Sequence, residues 1–148
     1  MGVRIVKGKD YEKQNMLNSE IGKYGELKVV EYERRKLIKA GFPDLANKVE
    51  HVSITVGDGL GYDVLSYDNN GNQIYLEVKT TTTNQQLTFD MTSNELNVMK
   101  ELGDSYYIVR VFNVDMNKGI CSYRYLNGLY VMGRMNLAPK IFRVKIVD

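Results

Sequence analysis

Cysteine, histidine and tryptophan are nearly missing from this chain, with one Cys, one His and no Trp in 148 residues. The lone Cys121 excludes an intramolecular disulfide, and without a Cys/His cluster nothing in the sequence would hold zinc. His51, the only histidine, has no serine or cysteine motif to partner it, so it reads as structural or surface and triad chemistry is set aside. No apolar run approaches the ~18 residues that cross a bilayer. The amino terminus, Met1-Gly2-Val3-Arg4-Ile5-Val6-Lys7, has neither the apolar stretch of a secretory leader nor a Ser or Thr at position 6 for myristoylation. The expectation is an intracellular, cytoplasmic protein in a reducing setting, with no membrane partner.

One domain spanning residues 1–148 is expected, large enough to bury roughly 70% of its unfolded surface. Net charge is only +2, but it is unevenly spread. Residues 1–50 carry 11 basic and 8 acidic side chains, residues 51–110 carry 3 and 8, and residues 111–148 carry 6 and 2. An acidic middle between basic flanks suits a cation-binding centre bordered by phosphate-contacting surface.

Within that acidic middle, Gly61 to Lys79 reads as a β-hairpin. Tyr62–Tyr67 and Ile74–Lys79 are its strands, and Asp68-Asn69-Asn70-Gly71 supplies an Asn-Gly pair for the turn. In the second strand Ile74, Leu76 and Val78 alternate with Tyr75, Glu77 and Lys79, so Glu77 and Lys79 share a face. Asp63, on the preceding strand, falls near them at the same end of the hairpin. Two converging carboxylates make a hard-oxygen site for Mg²⁺ or Mn²⁺. A lysine two residues on is placed to orient or deprotonate a bound water and to neutralise a phosphate. The plainer alternative is a surface hairpin whose exposed face carries a Glu–Lys pair.

Upstream, Asn18 and Ser19 are good N-caps for a long helix running to about Ala40, with Gly41 as its end and Pro43 as a stop. Residues 1–16 read as a short strand or a frayed arm. At 100° per residue Val29, Val30 and Leu37 fall within about 60° of Glu26, which sets Glu26 on or beside the buried face. There it serves as a third ligand or holds a water, or it pairs at the boundary with a lysine such as Lys23. Gly22 and Gly25 suggest a backbone passing close by. Glu31, Glu33, Arg34, Arg35 and Lys36 read as a solvated face. Val52, Ile54 and Val56 alternate with Ser53 and Thr55 as a first strand before a glycine-rich bend.

Downstream, Thr80–Gln86 is a polar strand end and loop whose hydroxyls and amides suit phosphates or base edges. Thr92-Ser93-Asn94-Glu95 is a capping box for a helix to about Leu102, and this explains Glu95 without catalysis. Ser105–Phe112 is a nearly continuous β-type run, fitting a buried strand parallel to the Glu77 strand. Tyr123, Arg124, Tyr125, Tyr130 and Arg134 mix rings and cations that suit bases and phosphates, or simply pack. Ile141–Val147 alternates as a last strand.

Asp63, thirteen residues, then Glu77-Val78-Lys79 resembles the PD-(D/E)XK signature of restriction-endonuclease-like nucleases. The expected fold class is α+β, an α/β-sandwich-like mixed sheet flanked by helices. Its element order of α-β-β-β-α-β over a core of about 18–112 follows that superfamily, with a C-terminal β extension over 113–148. More narrowly, Gly22-Lys23-Tyr24-Gly25-Glu26 joined to Gly61-Tyr62-Asp63, Glu77-Val78-Lys79-Thr80 and Thr92-Ser93-Asn94-Glu95 resembles the protein NO VEIN C-terminal type of domain. That type is often found beside helicase-like or restriction-type modules.

The resemblance implies a divalent-metal-dependent nuclease acting on DNA. Asp63 and Glu77 would hold Mg²⁺ (or Mn²⁺) with the backbone carbonyl of Val78, Lys79 would position the nucleophilic water, and Glu26 would be an auxiliary ligand. A homodimer would bring two sites to opposite strands of a duplex, and a larger restriction or helicase-type assembly is the other setting. The alternative is a catalytically inactive nucleic-acid-binding or assembly module of the same fold. A third reading is an unrelated α+β protein carrying the motif by accident.

Overall fold

The computed structural model describes residues 8–148. Helix α1 (Gly8–Lys39) begins well before the expected Asn18–Ser19 start, so the part of the expected arm from Gly8 onward is helical. Gln14 Nε2 donates to Asn18 Oδ1 across one turn, which uses the Asn18 side chain inside the helix rather than as its cap. Residues 1–7 of that arm lie outside the described residues. The helix ends as expected: Gly41 takes φ +89°, and Phe42 N–H reaches back to the Leu37 carbonyl at 2.8 Å. Pro43 does more than stop α1, since it opens α2 (Pro43–Lys48), where a missing N–H costs nothing.

The expected strand at 52–56 is instead a single helical turn, α3 (Val52–Thr55). Its alternation did not mark a buried strand face, because Val52 is buried while Ile54 and Val56 are exposed. Only Glu50 retains strand character, as an isolated antiparallel bridge to Leu65. The expected three antiparallel strands are therefore two plus this bridge.

The α+β class and the mixed sheet flanked by helices are as expected. Strands β1 (Val64–Tyr67), β2 (Gln73–Thr80), β3 (Tyr106–Asp115) and β4 (Ile120–Asn127) lie side by side in sequence order. β1 and β2 pair antiparallel with Val64 opposite Leu76. At their turn the Asp68 carboxylate accepts from the Asn70 and Asn72 amides, and Gly71 takes φ +81°. β3 runs parallel to β2, as its continuous apolar run indicated, and the crossover carries α4 (Ser93–Leu102). β4 returns antiparallel, followed by the short α5 (Gly128–Met132). The expected strand at Ile141–Val147 does not form. Ile141, Phe142, Val144, Ile146 and Val147 are exposed, since alternation sets which side chains share a face but supplies no partner strand. No described helix is long and apolar enough to cross a membrane.

The pleat divides the core between two faces. Ile74, Leu76 and Val78 of β2, with Val109 and Val111 of β3, pack on Val29, Val30 and Leu37 of α1. Tyr106, Ile108 and Leu126 pack on Met99 of α4 across the opposite face. Glu33, expected in solvent, is fully buried in the α1 layer. Its carboxylate accepts from Lys36 Nζ, from Ser66 Oγ at 2.7 Å and from Tyr125 Oη at 2.6 Å, tying α1 to β1 and β4.

Where α1 crosses the end of β2, a Cβ on Gly25 would sit 1.9 Å from Thr80 Oγ1 and 2.9 Å from Thr80 Cβ, whereas one on Gly22 would meet nothing. Gly25 is thus the position that requires no side chain. Gly25→Ala is expected to destabilise by about 2 kcal/mol, despite the ~1 kcal/mol helix preference of alanine. In a double-mutant cycle Thr80→Gly should recover most of that loss, measured by urea denaturation. Additive effects would show that the two elements do not press on one another.

Candidate functional site

The hairpin and α4 bring three of the expected residues together. Continuing the β1–β2 register past Val64 and Leu76 sets Asp63 opposite Glu77, and Asp63 N–H donates to the Leu76 carbonyl at 2.8 Å. β1 stops here, and the Asp63 side chain turns back so that Oδ2 accepts from Val78 N–H at 2.8 Å. Val78 contributes its amide to this contact and its side chain to the α1-side core. Glu77 is buried, only 4% exposed. Lys79, two residues on and on the same face, lies 3.4 Å from Glu77 Oε1.

Glu95 completes this group. As N3 of α4 it forms the expected capping box, accepting from Thr92 N–H at 3.0 Å while its own N–H donates to Thr92 Oγ1. The same Oε1 also accepts from Lys79 Nζ at 2.8 Å. The cap is therefore real, and it does not exhaust the residue: the capping carboxylate also anchors the lysine. Beneath them Tyr106 Oη donates to the Gly61 carbonyl at 2.9 Å, closing the floor.

Glu26 follows the Gly25–Thr80 contact on α1. It is bonded to neither Lys23 nor the Asp63–Glu77 pair. Its Oε1 accepts from Ser53 Oγ and from His51 Nε2, the latter at 2.9 Å. His51 therefore has a partner at the edge of the site. Ser53 was not singled out by the sequence, because a short alternating run hides a helical turn that sends its polar side chains toward another element.

The electrostatics follow from burial. Glu77 is pushed well above the usual carboxylate range by burial and then by the Asp63 charge, against which Lys79 works. Asp63 is also raised, by burial and by the negative charge of Glu26, although the Val78 N–H bond opposes this. Burial would depress the Lys79 ammonium, but Glu77 and Glu95 outweigh it and hold it above its ordinary value. Burial likewise works against Glu95, whose bonds from Lys79 and Thr92 keep it below the carboxylate range.

These directions fix a pH dependence for the metal-free protein. Asp63 and Glu77 keep protons in the folded state that they lose when unfolded, so raising the pH above about 4 removes stability. Glu95 acts the other way, but its contribution is complete above its unfolded value, and that of Lys79 is constant until far more alkaline pH. Glu77→Gln should then melt roughly 3–6 °C above wild type at pH 8, with a smaller gap at pH 5. A variant that melts lower at pH 8 would contradict the burial argument.

Among the described residues no group of three or more His, Cys, Asp or Glu is gathered for a metal. The donors that do converge are the two carboxylates Asp63 and Glu77. Mg²⁺ is typically held by one or two carboxylates with waters filling the remaining positions, so this all-oxygen pair fits it. The polar loop after β2 bonds largely to the protein itself: Arg110 donates to the Gln85 and Thr88 carbonyls, and Arg124 to Gln86 Oε1. Tyr123 stacks on Tyr32 with centroids 5.0 Å apart, and Tyr125 is bonded to Glu33, so these rings pack.

No curated protein and no solved structure matches the chain. A family model does, described as "Protein NO VEIN, C-terminal", over residues 25–125. That span runs from Gly25, at the α1–β2 crossing, to Tyr125, the partner of Glu33, and encloses Glu26, His51, Ser53, Asp63, Glu77, Lys79 and Glu95. The chain belongs to the protein NO VEIN C-terminal family.

Proposed function

We propose that the protein is a divalent-metal-dependent nuclease that hydrolyses phosphodiester bonds in DNA, built on a restriction-endonuclease-like core. The observation that carries this reading is the carboxylate pair of buried Glu77 and half-buried Asp63, facing Lys79 at one end of the β1–β2 hairpin. Each carboxylate is costly to bury, and each is raised by the charge of a neighbouring carboxylate. A fold keeps such an arrangement where a cation or a reaction repays it.

Asp63 and Glu77 would hold Mg²⁺ or Mn²⁺, with the Val78 carbonyl and Glu26 as auxiliary donors. When bound, the cation supplies Lewis acidity and a water that ionises near neutral pH. Lys79 orients the attacking water and offsets charge on the scissile phosphate. Glu95 keeps its ammonium in place from the α4 side. The basic residues before and after the acidic middle give DNA a surface to approach. A cytoplasmic setting, and a homodimer or larger assembly on duplex DNA, belong to the same reading.

The modest net charge of +2 favours a second reading, a binding or assembly module without turnover. Thermal melts separate the two. The nuclease reading predicts that Mn²⁺ or Mg²⁺ raises the melting temperature of wild type, as any ligand of the native state must, and leaves Glu77→Gln unmoved. A binding module would show salt-sensitive affinity for nucleic acid with no metal response in either protein.

A further inference from the structure

We propose that the α3 turn is a positioning clamp, in which His51 and Ser53 together fix the Glu26 carboxylate beside the Asp63 end of the hairpin. This inference rests on the metal-dependent reading of that site. Both donors converge on one oxygen, Oε1, from His51 Nε2 and Ser53 Oγ. Glu26 therefore presents Oε2 as its single remaining acceptor and acts through one oxygen. The same turn touches the other side of the site, because Ser53 N–H donates to the Asp63 carbonyl at 3.3 Å. Ser53 thus joins α1 to the start of β1 through its hydroxyl and its amide.

Two features set this turn apart from an ordinary connector. His51 occupies the N-cap position of α3 yet makes no side-chain cap to it, and its ring is spent on Glu26. Apolar packing holds little of the turn, since Val52 is buried but Ile54 and Val56 are more than 60% exposed. What seats α3 is largely the polar contact to Glu26 and Asp63. Hydrogen-bonding partners of this kind orient a ligand carboxylate and commonly change metal affinity by about 10–100-fold when removed.

The test is a Mn²⁺ titration of the full chain followed by thermal melting, comparing wild type with Glu26→Gln, His51→Ala, His51→Gln and Ser53→Ala. His51→Ala is expected to raise the Mn²⁺ midpoint about tenfold, as Glu26→Gln does, with Ser53→Ala moving the same way. His51→Gln, whose amide nitrogen replaces Nε2, should recover most of the loss. Melts without metal show which variants fold, and His51→Gln and Ser53→Ala keep the question open to test if His51→Ala does not. A wild-type midpoint in His51→Ala, or equal losses in His51→Ala and His51→Gln, would overturn the clamp while leaving the metal site standing. No Mn²⁺ response in wild type itself would overturn the metal reading, and the clamp with it.

Discussion

Glu33→Ala is expected to destabilise the protein by about 3–5 kcal/mol, a large share of the roughly 5–15 kcal/mol that holds an ordinary domain folded. Glu33 is fully buried, and its two oxygens accept from Lys36, Ser66 and Tyr125. Removing it strands the Ser66 and Tyr125 hydroxyls inside the α1 layer without an acceptor and opens a cavity between α1 and the sheet. Lys36 suffers least, being partly exposed. Glu33→Gln keeps the shape and one acceptor oxygen, so its loss should be nearer 1–2 kcal/mol. Tyr125→Phe should fall in the same range. Urea denaturation monitored by circular dichroism gives all three values. A loss below about 1 kcal/mol for Glu33→Ala would mean that the network is not closed as described.

Glu33 also shows what the sequence held and what it hid. Val29, Glu33 and Leu37 stand four residues apart, so the spacing alone set Glu33 on the buried stripe of α1. Its charge argued for solvent, because the one local partner, Lys36, is itself partly exposed, and the two hydroxyl partners that close the network were not visible nearby. Those partners come from 33 and 92 residues away, on β1 and β4. Glu95 repeats the lesson. Its capping box was legible because both halves lie within four residues, whereas its bond to Lys79 depends on the loop that carries α4 back over β2.

Elements with a single dominant local signal were legible. The Asn-Gly turn and its flanking alternation gave the β1–β2 hairpin, and with it the approach of Asp63 to Glu77 and Lys79. A continuous apolar run after a helix gave the parallel β3 strand. Gly25 was recognisable as a point of close approach, although what meets it is the Thr80 side chain rather than a backbone, and Gly22 offered the same signal without the contact. Short alternating runs misled twice. At 52–56 five residues do not distinguish a strand from one helical turn, and at 141–147 alternation alone provided no neighbour. The longer α1 escaped because good cap residues at 18 and 19 can also serve inside a helix.

Glu77→Ala and Lys79→Ala carry the largest expected effect on function. Glu77 supplies one of the two carboxylates proposed to hold the cation, so its loss removes that cation together with its Lewis acidity and activated water. Lys79→Ala removes the one ammonium held between Glu77 and Glu95, and it leaves Glu77 more exposed to the Asp63 charge. Each change should lower cleavage by about a thousandfold or more, equivalent to roughly 4 kcal/mol of barrier. Glu77→Gln separates folding from function, since it keeps the shape and removes a charge that is a liability to the metal-free fold, so it should melt above wild type and still not cut.

The most direct measurement is cleavage of plasmid, linear duplex, single-stranded DNA and RNA by the purified protein in Mg²⁺, Mn²⁺ or EDTA, beside Glu77→Ala and Lys79→Ala. The expected result is cutting of DNA by wild type in Mg²⁺ or Mn²⁺, abolished by EDTA and by either substitution. Cutting that persists in EDTA or in both variants, or a folded wild type that cuts nothing under any condition, would contradict the account.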